Sequence, residues 1–346
     1  MTATIKDVAK LAGVSFKSVS RVINKEGSVS NALYNKVQEA IKELHYQPNF
    51  AARRLRGDAS SIGFVYSNPN SNYVIDMQQG IIDVCRNNDF ELIIHPCNHI
   101  NTQNTKLMAS ELKKMVNKSQ VGGLILTPPM SESPKLLHYL DSQNILFVRI
   151  ISATKAPNDK YPYVFLDDKN TAFAITKYLT SLGHKEIAFL AGEEEHKSTN
   201  ERMNGYKNAI KQCDIKLNKN LILKGQYSFA SGLSRTLQLL LSNSPPTAIF
   251  ACNDEIAAGA VEAARQLSIK VPEQLSIVGF EDSPYSQQSS PKLTTARQPT
   301  YDIAKRAAEI IINLIRNKDI EDLYDDERNG FHPELIIRDS ATHVIT

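Results

Sequence analysis

The first 57 residues restrict the fold more than any other stretch, because their apolar side chains recur with the period of short helices. Thr4 followed by Asp7 is a helix start signal, and Gly13 ends that first helix. Ser15 can cap a second helix, and Ser30 can start a third. Each helix has one apolar face, so the three together predict a small core whose first two helices are joined by a tight turn.

The second of these helices has two chemically different faces. Val19, Val22 and Ile23 share the apolar side at about 100° per residue. The other side carries an aromatic ring, two cations, a hydroxyl and an amide, which belong to Phe16, Lys17, Ser20, Arg21 and Asn24. These groups can bond phosphates and base edges in a major groove, or pack on a thymine methyl group. The alternative is an ordinary solvated helix surface.

The distribution of charge favours nucleic acid over a merely solvated surface. Residues 1–58 contain ten Lys or Arg and five Asp or Glu, whereas the whole chain contains 40 and 37. Positive charge is therefore concentrated in this segment, as expected where a protein binds a polyanion.

Two runs of sequence carry a resemblance to a known family. The first is I-K-D-V-A-K-L-A-G-V-S-x-x-S-V-S-R-V-I-N, beginning at Ile5, and the second is Y-x-P-N-x-x-A-R-x-L-R-G, beginning at Tyr46. Together they resemble the helix-turn-helix DNA-binding head of the LacI family of bacterial transcription regulators. The resemblance implies that Phe16 and Lys17 are the main base readers and Arg21 a third. Ser18 stands where the family usually has Thr, and it retains the hydroxyl.

Residues 49–57 have good helix propensity, but the segment is too short to hold a helix alone in water. We expect it to form a hinge helix when two copies pair on DNA, and the resemblance implies that Leu55 is then a wedge inserted from the minor groove. A plain basic linker is the alternative. The expected DNA-contacting residues are Thr4, Ser15, Phe16, Lys17, Ser20, Arg21, Asn24, Asn49, Ala52, Arg53 and Leu55.

From Ser61 onward, apolar runs alternate with amphipathic runs, a pattern typical of parallel sheets covered by helices on both faces. The predicted strands are Ile62–Ser67, Glu91–Cys97, Gly122–Thr127, Ile145–Ile150, Val164–Asp167, Ile187–Ala191, Ala248–Cys252, Ser276–Phe280 and Leu335–Arg338. Nine strands are more than one sheet of such a domain usually contains, so we predict an α/β fold with two doubly wound lobes. The resemblance implies that these lobes form a domain like the periplasmic binding proteins.

The sequence predicts three segments. Residues 1–48 form the helix-turn-helix head, residues 49–60 the hinge helix or linker, and residues 61–346 the effector-binding and dimerisation domain. The first lobe is expected to comprise about 61–163 and 296–325, and the second about 164–295 and 326–340.

Polar residues at strand ends are the candidates for a ligand site, since ligands of such folds lie beyond the carboxyl ends of the strands. Carboxylates, amides, one Arg and tyrosine rings suit a sugar, although several of these residues could instead be helix caps. The resemblance implies a set of effector ligands, which is Tyr73, Asp167, Arg202, Tyr227, Asn253 and Glu281. Glu281 replaces the usual Asp of the family, so the expected ligand set departs from the family pattern at this position.

Other classes of protein fit the sequence less well. Dinucleotide-binding, phosphate-loop and nucleophile-elbow signatures are absent, and neither the eight His nor the four Cys show metal spacing, so we expect no enzyme, cofactor or metal. No apolar run approaches a membrane helix, and we expect a cytoplasmic protein whose cysteines are reduced. The expected function is a sugar-responsive repressor that binds a pseudo-palindromic operator as a homodimer. The alternatives are a regulator that responds to a nucleobase or partner protein, and a sugar-binding protein without a regulatory role.

Overall fold

The computed structural model describes residues 3–23, 29–44, 46, 61–67, 72–97, 105–152, 160–318 and 326–344. The chain divides into two compact units, Met1–Ala59 and Ser60–Thr346. The hinge predicted for residues 49–60 lies outside the described residues.

The first unit contains three helices: α1 (Ile5–Ala12), α2 (Phe16–Ile23) and α3 (Asn31–Glu43). The amide and hydroxyl of Thr4 both donate to the Asp7 carboxylate, at 2.8 and 2.6 Å, which stabilises the start of α1. Gly13 follows α1 with φ of 63°, a left-handed conformation that glycine adopts without strain. The core of this unit consists of Val8, Ala9, Val19, Val22, Val37 and Ala40.

The second unit contains two parallel sheets. The six-stranded sheet comprises β1 (Ser61–Ser67), β2 (Glu91–Cys97), β3 (Gly123–Leu126), β4 (Leu146–Ser152), β5 (Tyr163–Leu166) and β11 (Gly330–Phe331), in the spatial order β11-β5-β4-β3-β1-β2. The four-stranded sheet comprises β6 (Ile187–Leu190), β7 (Ile222–Leu223), β8 (Ala248–Ala251) and β9 (Ser276–Val278), in the order β7-β6-β8-β9. We call the parts built on these sheets the first lobe and the second lobe. The α/β fold with parallel sheets and a helical head is confirmed.

Helices cover both faces of each sheet, because alternate side chains of a strand point to opposite faces. In the first lobe, α4 (Asn72–Asn88) and α12 (Thr300–Ile315) share one apolar core, and α5 (Thr105–Ser119) and α6 (Pro134–Ser142) share another. The second lobe has one core, and its principal helices are α7 (Asp168–Ser181), α8 (Lys197–Gln212), α9 (Phe229–Leu240) and α10 (Asp254–Gln266). Two further short α-helices of the second unit are α11 (Pro284–Gln288) and α13 (Asp326–Asn329).

Three passages of the chain connect the lobes. The first follows β5, the second precedes α12, and the third follows β11. The second contains β10 (Thr295–Arg297) and the third contains β12 (Glu334–Ile336), and these two strands pair antiparallel. The predicted lobe boundaries are wrong at two places. Strand β5, expected in the second lobe, pairs with β4 of the first, and β11 pairs with β5 in the same sheet. The reason is that Val164 and Leu166 are buried in the apolar core that α4 and α12 share.

Candidate functional site

The predicted DNA-reading face of α2 is exposed, and its opposite face is buried. Phe16 is 41 % exposed, Lys17 and Arg21 are exposed, and Val19 and Val22 are buried. Ser20 is half-buried on the same helix. The apolar side of α2 therefore anchors the helix, while the aromatic and cationic side chains on its other side are exposed.

Serine side chains hold the start of α2 in place. The Ser15 hydroxyl accepts a hydrogen bond from the Ser18 amide at 3.1 Å and lies 2.8 Å from the Ser18 hydroxyl. Thr4 is exposed at the start of α1, where its hydrogen bonds with Asp7 orient it. Five further DNA-contacting candidates lie outside the described residues: Asn24, Asn49, Ala52, Arg53 and Leu55.

A cavity of about 100 Å³ lies in the second unit and is lined by residues of both lobes. A water molecule needs about 10–15 Å³ on this measure, so the cavity can hold a small organic molecule. Its apolar wall comes chiefly from the first lobe and consists of Met77, Pro128, Ile150, Ile151 and Leu166. Its polar lining consists of Ser67, Ser152, Asp168, His196, Ser198, Arg202, Asn253, Glu281 and Gln298, and Tyr73 and Tyr227 add two rings.

Arg202 is the most constrained polar residue of this cavity. It is 3 % exposed, its Nε donates to Asp168 Oδ1 at 2.8 Å, and its guanidinium also donates to the Cys252 carbonyl at 2.5 Å. The guanidinium carbon lies 3.8 Å from the centre of the Phe280 ring. Burial is the largest single influence and opposes the charge of Arg202, but the attraction of Asp168 together with weaker attraction from other nearby groups outweighs it and raises the pKa of Arg202. The cation is thus paired and lies over an aromatic face.

Tyr227 is fixed by the second lobe. Its hydroxyl lies 2.8 Å from Thr199 Oγ1, and its ring meets the His196 ring edge-on at 5.7 Å between centres. A Cβ on Gly192 would collide with the Tyr227 ring, so only glycine allows this close approach. Burial raises the pKa of Tyr227 well above its ordinary value, and the phenol is therefore neutral.

Glu281 lies on a strained backbone that connects the cavity with a passage between the lobes. Its φ is 113°, a backbone conformation that residues other than glycine rarely adopt. Its amide donates to the Ala296 carbonyl at 2.8 Å, and its carbonyl accepts from the Gln298 amide at 3.4 Å. Burial raises the pKa of Glu281 to about 8, although Arg202 opposes the shift, so this carboxyl is largely protonated at pH 7.

The remaining predicted ligands have different outcomes. Asn253 lines the cavity and also caps α10, accepting from the Ile256 amide at 2.9 Å. Tyr73 lines the cavity from the first turn of α4, and burial raises its pKa to about 12. Asp167 is not among the residues that line the cavity. It caps α7 by accepting from the Asn170 amide at 3.1 Å, and it lies 3.2 Å from His332, while the neighbouring Asp168 faces the cavity instead.

Several cavity residues were not predicted. Asp168, Ser152, His196, Ser198 and Gln298 line the cavity. Ser198 precedes Arg202 by one helical turn on α8, so the i, i+4 spacing could have identified it. The others lie at strand or helix ends, where the side-chain direction depends on tertiary packing.

The part of the chain that the structure describes carries neither a metal-binding group nor a membrane-spanning helix. Within them, no three His, Cys, Asp or Glu side chains are grouped so as to hold a metal ion. None of the helices in these ranges combines the length and the apolar composition that a membrane crossing requires.

Comparisons with known proteins agree across both units. The family model described as bacterial regulatory proteins, lacI family, matches residues 4–49, and the periplasmic binding protein-like domain matches residues 176–341. The chain is 31% identical to the HTH-type transcriptional repressor PurR of Pasteurella multocida (strain Pm70) over 342 aligned residues. This alignment covers 98% of each chain. It is 29% identical to the PurR repressor of Vibrio vulnificus (strain CMCP6) over 343 residues, or 99% of each chain. Among solved structures it resembles a transcriptional regulator CelR-cellobiose complex, with 25% identity, a TM-score of 0.72, and coverage of 98% of this chain and 100% of the other.

Proposed function

Because the chain belongs to the LacI family of bacterial regulatory proteins and is a DNA-binding transcriptional repressor, we propose that its effector is a neutral mono- or disaccharide bound in the cavity of the second unit. The supporting observation is that hydrogen-bond donors and acceptors line the cavity together, around an Arg202 whose charge is already paired with Asp168. A sugar presents several hydroxyls, each of which can donate and accept, together with an apolar ring face.

The charge balance of the cavity disfavours an anionic effector. Of the described residues that line the cavity, Arg202 is the only Lys or Arg, and Asp168 already neutralises it. Asp168 and Glu281 can accept hydrogen bonds from hydroxyls, whereas Asn253 and Gln298 can both donate and accept. Tyr73 and Tyr227 can pack on the apolar face of a sugar ring.

A nucleobase is the second candidate, and the relatives named PurR favour it. A flat, uncharged heterocycle would also use the two tyrosine rings, the apolar wall and the side-chain amides. The CelR structure is a complex with cellobiose, and this similarity favours a sugar. Cellobiose and a set of purine bases are therefore the probes that separate these candidates.

The proposed mechanism is a two-state switch in a cytoplasmic homodimer. Phe16, Lys17 and Arg21 read the major groove of each half-site, and Leu55 acts as a minor-groove wedge. Effector binding changes the equilibrium between lobe arrangements, and this equilibrium is linked to operator affinity by about 1–3 kcal/mol, as is typical of allosteric coupling.

The test is a thermal-shift panel on the full chain with mono- and disaccharides, including cellobiose, and with a set of purine bases. Each compound that stabilises the chain is then added to a binding assay with an operator duplex selected from random sequence. A sugar that changes operator affinity supports the proposal, and weaker or stronger binding identifies it as an inducer or a co-repressor. A response to purine bases alone overturns the sugar assignment.

Arg202→Ala is the informative variant, and Arg265→Ala is its matched control. Arg265 also pairs with a carboxylate, Glu262, at 2.7 Å, but the pair is exposed on α10 and away from the cavity lining. We expect Arg202→Ala to retain operator binding and lose the effector response, whereas Arg265→Ala retains both. A normal response of Arg202→Ala would show that the effector binds elsewhere.

A further inference from the structure

Glu132 is a half-buried carboxyl near the cavity that does not itself line it. It ends a short 3₁₀ helix, Met130–Glu132, in the loop between β3 and α6 of the first lobe. Its carboxylate accepts a hydrogen bond from the Ser152 amide at 3.1 Å, at the end of β4. The loop and the strand end are thereby joined within the first lobe.

Ser152 extends this connection to the second lobe. Its hydroxyl donates to the Asp168 carboxylate at the start of α7, and Asp168 in turn pairs with Arg202 of α8 at 2.8 Å. Ser152, Asp168 and Arg202 are all buried. A continuous polar chain therefore runs from Glu132 to the arginine that we assign to effector binding.

Glu132 also meets the second lobe directly. The Lys197 ammonium, on the first residue of α8, is close enough to attract the Glu132 carboxylate. The first turns of α8 also carry Ser198 and Arg202, so Glu132 lies near the element that supplies both cavity residues.

We propose that Glu132 is a positioning residue that fixes Ser152 at the end of β4, so that the Ser152 hydroxyl reaches Asp168 of the second lobe and holds the two lobes together around the effector cavity. It acts through Ser152, Asp168 and α8 and does not contact the effector. The contacts exist whatever the effector is, and only their regulatory consequence rests on the proposed function.

Charged groups around Glu132 determine how this tie responds to pH. Asp168 of α7 repels its negative form and Lys197 of α8 attracts it, while Arg149 of β4 donates to the neighbouring Ser131 carbonyl at 3.5 Å. Burial is the largest effect and raises the pKa of Glu132 to about 7. If the lobes separate, water reaches the carboxyl and its pKa returns toward the ordinary value of 4.5. The closed arrangement therefore binds more protons, and it weakens as pH rises through 7.

The experiment is amide hydrogen exchange on the full chain without effector, between pH 6 and 8, with rates corrected for intrinsic exchange. It compares wild type with Glu132→Ala, which removes the acceptor of the Ser152 amide, and with Glu132→Gln, which keeps a neutral acceptor. In Glu132→Ala we expect about tenfold faster exchange both at residues 146–152 and at residues 197–202, since one charge-assisted hydrogen bond has this magnitude. In Glu132→Gln we expect rates near wild type at pH 6 and a weaker dependence on pH.

Glu195→Gln is the matched control, because it removes one exposed carboxylate two residues before α8. We expect it to leave both segments unchanged. Faster exchange of Glu132→Ala confined to residues 127–134 would overturn the proposal, since it would show a role local to the loop. Identical pH profiles of wild type and Glu132→Gln would also overturn it, and this comparison decides the matter if Glu132→Ala does not fold. A failure of sugars in the thermal-shift panel would leave the exchange result unaffected.

Discussion

The face of α2 in the first unit and the cavity of the second unit handle charge in opposite ways. Lys17 and Arg21 are exposed on a helix whose own core is small and apolar. Arg202 is almost completely buried, and Asp168, the Cys252 carbonyl and the Phe280 ring surround it. The first surface depends on a partner to supply the opposite charge, while the second supplies it from within the chain.

This difference follows from solvation. An exposed cation keeps its water and costs little to leave unpaired, so the head can present positive charge to a polyanion. A buried ion must be paired and hydrogen-bonded to offset the loss of water. A substitution on the α2 face should therefore change operator binding without changing stability. A substitution in the cavity should change both effector binding and stability.

The largest expected effect comes from breaking the buried ion pair. Arg202→Ala leaves Asp168 without its cation, and we expect it to lower the free energy of unfolding by about 3–5 kcal/mol. Urea denaturation measures this loss. Arg265→Ala breaks an exposed pair and should leave the unfolding free energy nearly unchanged. Equal losses in the two variants would contradict the distinction between buried and exposed charge.

The second effect concerns pH. The pKa of Glu281 is about 8 in the folded chain and has a reference value of 4.5, so the folded chain binds more protons between these values. Its contribution to stability is therefore present at low pH and is lost as pH rises through 8. We expect Glu281→Gln to reduce the decrease in stability between pH 6 and pH 9 by about 2–3 kcal/mol. Urea denaturation at both pH values tests this, and an unchanged pH dependence would show that Glu281 is not a protonated buried group.

The third effect is on operator affinity alone. Lys17→Ala should weaken binding to the selected operator by about 1–3 kcal/mol, the typical value of a base contact, with an unchanged unfolding free energy. Lys219→Ala removes one exposed cation from the second unit and is the matched control. Titration of labelled duplex at fixed salt gives both affinities. If the two variants lose the same affinity, the contribution of Lys17 is general charge and not base reading.

The smallest effect is on the cap of α2. Ser15→Ala removes the acceptor of the Ser18 amide and should destabilise the first unit by about 1 kcal/mol. Hydrogen exchange of the amides of residues 16–23, measured as a function of temperature, gives this loss of stability. Ser15→Asp retains an acceptor at that position, so it should restore most of the protection. No change in Ser15→Ala would mean that the cap does not contribute to the stability of α2.

The two regions also differ in how well their residues could be predicted. The three helices of the head and the exposed face of α2 follow from helical periodicity, because a helix fixes which side chains share a face. The long strands and helices of the second unit were recognised from their apolar patterns. Strands β7, β10 and β11 were missed, since two or three residues are too few to show a period.

The cavity could be predicted only in part. Arg202, Tyr227, Asn253, Tyr73 and Glu281 were expected to bind the effector, and all five line the cavity, although their role in binding stays a proposal. Asp167 and Asp168 are adjacent carboxylates after one strand, and no sequence pattern distinguishes the cap from the cavity residue. The distinction arises because α7 begins at Asp168, so that Asp167 accepts from the Asn170 amide while Asp168 meets Arg202.

Local sequence by itself determined the family, the alternation of strands and helices, and the chemistry of the α2 face, because these depend on side-chain period and on contiguous motifs. Tertiary structure alone decided that β5 and β11 join the first sheet, that Asp168 pairs with Arg202, and that Glu132 accepts a hydrogen bond from Ser152. Those contacts join residues distant along the chain, and their energies come from burial and pairing. Neither burial nor pairing exists until the sheets have packed.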